Sequence, residues 1–107
     1  MSAYAVGHFY EMNVNSKLVL YLNRIDATLK PYDGRFLVHG KKPEPVEGAF
    51  SGQVVIIEFP DIEKARGWYH SEAYQDIVAL RKKNTEGHIV LVEGTPDDYQ
   101  ATNLLDR

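Results

Sequence analysis

Apolar and polar positions along the chain change period several times, and each change marks an element. Residues 3–10 are rich in small and aromatic residues and predict a first strand. Asn13, Asn15 and Ser16 follow, residue types that favour a helix N-cap. From Lys17 the spacing becomes helical: Leu18, Tyr21, Leu22, Ile25, Leu29 and Tyr32 recur at three- and four-residue intervals. They fall on one stripe, with Lys17, Asn23, Arg24 and Thr28 largely opposite. Pro31 and Gly34 end this helix. Residues 35–39 predict a short second strand, closed by Gly40. Residues 40–52 hold three glycines and two prolines and predict a loop or irregular hairpin.

Residues 53–59 predict a third strand, apolar through Val54, Val55, Ile56 and Ile57. Pro60 stops it and Asp61 caps a helix whose apolar side is Ile62, Ala65, Trp68 and Tyr69. Ser71 followed by Glu72 reads as a fresh N-cap, which predicts a break near His70 and a further helical segment to about Lys83. Gly87 precedes a fourth strand over residues 88–93, ended by Gly94, Thr95 and Pro96. Residues 1–94 thus read as one domain, and the polar residues 95–107 as a C-terminal arm or tail. The β-α-β-β-α-β order is the split βαβ pattern, an α+β, ferredoxin-like protomer. Its four antiparallel strands carry both helices on one face. The other face stays apolar and exposed unless a partner covers it. Two such sheets packed face to face form a dimeric α+β barrel.

Strand alternation then sorts the ionisable residues. Ala3, Ala5, Gly7 and Phe9 suit close helix packing, which turns His8 to the other face. The second strand splits into Phe36 and Val38 against Arg35, Leu37 and His39, and the third into Val55, Ile57 and Phe59 against Val54, Ile56 and Glu58. His8, Arg35, His39 and Glu58 are therefore expected together on the face away from the helices. Such a set in an apolar pocket suits proton transfer by His39 or Glu58 and anion binding by Arg35. Equally, Arg35 and Glu58 satisfy each other, and His8 is a hydrogen-bonded core or interface histidine. In the segment from Glu72, Arg81 falls inside the apolar arc of Ala73, Tyr74, Ile77, Val78 and Leu80. A buried guanidinium needs acceptors, from an anionic ligand or from Glu58. The alternative is that it reaches water at the helix end.

Composition narrows the chemistry. The formal net charge is −3 over 107 residues, which opposes a nucleic-acid partner. The absence of cysteine excludes disulfides, thiol catalysis and Cys-based metal sites. The histidines at 8, 39, 70 and 88 have no metal-motif spacing, and no phosphate loop or nucleophile turn is present. No basic leader and no apolar run of membrane-spanning length is seen, so a cytoplasmic location without membrane contact is expected.

Gly34-Arg35-Phe36-Leu37-Val38, Glu47-Gly48, Glu58-Phe59-Pro60, the run from Ala65 through Trp68, Tyr69 and Ser71 to Tyr74, Arg81, and Leu91-Val92-Glu93-Gly94 together resemble the family of unknown function numbered 1330. The resemblance covers roughly residues 3–94. It implies a ferredoxin-like protomer of the dimeric α+β barrel superfamily and a homodimer, and it supplies no reaction. Asn13-Val14-Asn15 stands where the family often has Asp-Pro, and His39 stands where Arg is common. The function expected is a small-molecule pocket, with cofactor-independent proton transfer on a small organic acid or aromatic metabolite. His39 and Glu58 are the acid/base candidates. Arg35, Arg81, Trp68, Tyr69, Tyr74 and His8 are the candidates for binding. A non-catalytic metabolite-binding or purely structural dimer is the alternative.

Overall fold

The computed structural model describes residues 1–106. Strand β1 (Ala3–Met12) lies inside a four-stranded sheet of order β2-β3-β1-β4, with β2 Arg35–Val38, β3 Gln53–Phe59 and β4 Thr85–Glu93. All three pairings are antiparallel. Helix α1 (Ser16–Leu29) follows β1, and α2 (Ile62–His70) and α3 (Glu72–Lys82) follow β3. All three pack on one face, as the alternation requires. Ala3, Ala5 and Phe9 of β1 and Ile57 and Phe59 of β3 are buried beneath Leu18, Tyr21, Ile25, Ala65, Trp68, Tyr74 and Ile77.

The helix starts follow from local chemistry. Asn15 Oδ1 accepts from Lys17 N and Leu18 N, both at 3.0 Å, satisfying donors that the first helical turn leaves open. Asn15 Nδ2 also donates to Asn84 Oδ1 at 2.6 Å, tying the start of α1 to the chain beyond α3. Asp61 Oδ1 caps α2 at Lys64 N. Ser71 is the break expected near His70: its Oγ accepts from Tyr74 N at 3.2 Å and donates to Trp68 O at 2.7 Å. One hydroxyl thus ends α2 and begins α3.

Three sequence expectations need correction. Strand β4 starts at Thr85 rather than 88, because Glu86 and Thr85 pair with Glu11 and Met12 of a β1 longer than its apolar run. Thr28 is buried, not on the polar side of α1: its Oγ1 donates to Ile25 O and accepts from Trp68 Nε1 at 3.0 Å. The third correction concerns β2. Phe36 pairs with Ile57 and Val38 with Ile56, so Leu37 is an extra residue and a bulge reverses the alternation. Val38 joins Ile56 on the outer face, and His39 turns to the helix side.

Candidate small-molecule site

A cavity of ≈ 50 Å³, measured as space for the centres of water-sized spheres, lies between sheet and helices. One water needs about 10–15 Å³ on that measure, so several waters or a small ligand fit. The sheet supplies Ala5, Gly7, Phe9, Val55, Ile57 and Ile89, and α1 supplies Leu18, Tyr21, Leu22 and Ile25. Met12 joins Phe9 there although three positions separate them, because a second bulge at Tyr10 shifts the register. His39 and Gln53, both exposed, mark the open side. His39 rests on Phe36 with ring centroids 4.6 Å apart. Gly52 adjoins this opening at φ +94°, and a Cβ there would collide with Phe9 O.

The polar wall is small. Tyr21 Oη and Tyr74 Oη are 2.8 Å apart and hydrogen-bonded. Tyr74 packs on Trp68 with centroids 4.2 Å apart. Arg81 is only 9% exposed and sits over the Phe9 ring at 5.3 Å. Its Nε is buried without a hydrogen-bond partner, and no carboxylate lies in ion-pair range among the described residues. Burial pulls the Arg81 pKa down, but the Tyr74 and Tyr21 oxygens outweigh it and the net shift is upward, so the charge persists. Burial pushes the Tyr21 phenol well above its ordinary value; Tyr74 adds to the rise and Arg81 opposes it. Tyr21 is therefore a neutral phenol. The inventory is rich in donors. Guanidinium accepts nothing, and of the two phenol protons only one is used between the oxygens. An oxygen acceptor from a ligand fits that surplus.

A family model for a domain of unknown function, DUF1330, matches residues 2–95. The chain belongs to this family. No functionally curated protein matches the DUF1330 chain in sequence. Among solved structures, a protein of unknown function from Rhodopseudomonas palustris is similar with a TM-score of 0.67 at 10% identity, over 89% of this chain and 83% of that one. SnoaB, a cofactor-independent oxygenase from Streptomyces nogalater, has a TM-score of 0.62 at 13% identity, over 92% and 98%. An antibiotic biosynthesis monooxygenase has a TM-score of 0.53 at 17% identity, over 90% and 100%. These similarities share the fold and leave the chemistry of the DUF1330 chain open.

The candidate residues divide between two places. Trp68, Tyr74, Arg81 and His39 line the cavity. Arg35 and Glu58 lie on the outer face as directly opposed partners, with Nη2–Oε1 2.8 Å and Nε–Oε1 3.0 Å. The Arg35 side chain is 71% exposed, and this pair is the self-satisfied alternative. His8 is also on the outer face, stacked on Phe50 at 4.4 Å with Nε2 2.8 Å from Ser51 O. The expected gathering of His39 with Arg35 and Glu58 fails because of the β2 bulge. Tyr69 is half-buried beside Trp68, and His70 is exposed. Tyr21 was legible only as an apolar position; its phenol's pairing with Tyr74 is long-range. Among the described residues no cluster of three metal-ligating side chains occurs, and no helix is long and apolar enough to cross a membrane.

Proposed function

We propose that this DUF1330 protein binds a small organic acid or aromatic metabolite in the cavity, with its anionic oxygen toward Arg81. The observation that carries this reading is a buried guanidinium with no carboxylate, beside two phenols, in an apolar chamber. Desolvation strengthens such a charge–oxygen contact. Trp68 and Tyr74 form the flat wall against the ligand's apolar part. His39, at the open side, is the residue placed to exchange a proton with solvent. The proposed chemistry is cofactor-independent proton transfer; SnoaB, which shares the fold, is described as a cofactor-independent oxygenase. Arg35, Glu58, His8 and Tyr69 stand outside the chamber. For Arg35, Glu58 and His8 the proposed place is the contact between two copies associated through the outer sheet faces, whereas Tyr69 of α2 packs beside Trp68 on the helix side.

The test is a panel of small aliphatic and aromatic carboxylates and phenols, read by thermal shift and by fluorescence of the single tryptophan, Trp68. A binder is expected to quench Trp68 and raise Tm, and Arg81→Met is expected to abolish both effects. A panel without any shift, or hits indifferent to Arg81→Met, sinks the reading. The cavity lining has no carboxylate, which favours non-catalytic capture as the second reading. Incubating a hit with the protein in D2O separates the two: deuterium uptake at carbon that is lost in His39→Ala marks catalysis, and an unchanged ligand marks a binder.

A further inference from the structure

We infer that residues 95–106 form an exchange arm that seats on a second copy of this chain. The inference rests on the face-to-face association proposed above and adds a part to it. The segment is ordered by its own bonds: Tyr99 N to Pro96 O at 3.1 Å, Asn103 N to Gln100 O at 2.8 Å and Gln100 N to Asn103 Oδ1 at 2.9 Å. Its last part is the 3-10 turn Ala101–Asp106. Among the described residues none of its hydrogen bonds reaches the body of the chain. Every residue from 95 to 106 is exposed, and three of them are large and apolar: Tyr99, Leu104 at 50% and Leu105 at 79%. A built turn that leaves Leu104 and Leu105 half or more exposed on its own chain lacks a docking surface for them. The radius of gyration, 15.2 Å against about 13 Å for a compact chain of this length, agrees with an arm that stands off the body.

The root of the arm decides where it goes. Gly94 N donates to Ser2 O at 2.7 Å, and Thr95, Pro96 and Asp97 frame a recess with Ser2 and Tyr4. Tyr4 pairs with Val92 and Glu58 and belongs to the outer face. The arm therefore leaves on the side where Val90 and Val92 are 54% and 48% exposed. One chain carries both an apolar arm and an apolar face on the same side. A two-fold axis satisfies both at once, arm on partner and face on face. Asp97, Asp98 and Asp106 make the arm acidic, which disfavours nucleic acid or an anionic membrane as the occupant.

Sedimentation velocity over a dilution series tests this on the full chain, a chain ending at Gly94, and the double variant L104D/L105D. Leu104 and Leu105 are exposed in the single chain, so the double variant leaves its fold intact, which circular dichroism checks. The expected result is a dimer for the full chain and association at least tenfold weaker for both altered chains. Equal dimerisation of all three overturns the arm and leaves the face-to-face association standing. A full chain that is monomeric at every concentration overturns the association, and the arm with it.

Discussion

Arg81 holds a buried charge that the protein itself does not neutralise. Removing it should cost the fold little, because the desolvation penalty of the guanidinium goes with it. Arg81→Met is expected to change unfolding free energy by less than about 1 kcal/mol in urea titrations, while ligand response disappears. Tyr74→Phe behaves in the opposite sense. It removes the 2.8 Å bond to Tyr21 and leaves a buried phenol without its partner, so a loss of about 1–3 kcal/mol is expected. Tyr21 also sets an alkaline limit. Its pKa in the native state lies far above the value near 10 of an unfolded chain. Below about pH 10 both states keep the proton and the group has no pH effect. Above it the unfolded chain releases the proton and the native chain does not, so stability falls by up to about 1.4 kcal/mol per pH unit. Urea midpoints between pH 9 and 11.5 should show that slope, and Tyr21→Phe should reduce it. Arg81's place in an apolar arc was legible, but not whether it is buried there or reaches water at the helix end. Its lack of a partner was not legible either, because that depends on what β1 and α1 bring across from distant sequence.

Helix boundaries were legible where a single side chain sets them. Asn15, Asp61 and Ser71 each cap with their own oxygen, so composition and position suffice. Ser71→Ala is expected to cost about 1 kcal/mol or somewhat more, since the hydroxyl serves the end of α2 as well as the start of α3. Thermal melts of Ser71→Ala and Ser71→Thr check it, with threonine retaining most of the stability. Strand limits and bulges resisted reading for a different reason. The start of β4 at Thr85 is dictated by β1, and the extra residue in β2 is dictated by β3. A pairing partner remote in sequence decides both. The face assigned to each residue was therefore right through Phe36 and wrong for Val38 and His39.

At the scale of the molecule the βαββαβ order and the one-sided helices were legible from periodicity alone. What the outer face does was not, since one chain cannot show its own partner. If two copies associate there, Val90→Asp should dissociate them while leaving the single chain folded, because Val90 is already half-exposed in it. Light scattering with circular dichroism reads both halves of that expectation; a dimer that persists removes the face-to-face contact. The bulge at Leu37 also partitions the labour between the two sides of the sheet. Pairing Leu37 itself with Ile56, with no extra residue, would restore strict alternation without altering any cavity wall from β1 or α1. His39 would then exchange sides with Val38, placing an ionisable ring on the outer face and an aliphatic plug at the chamber's opening. A one-residue slip of register thus stands between a chamber with the proposed His39 gate and a closed one, which makes the pairing of β2 with β3, more than its composition, the quantity to compare across relatives.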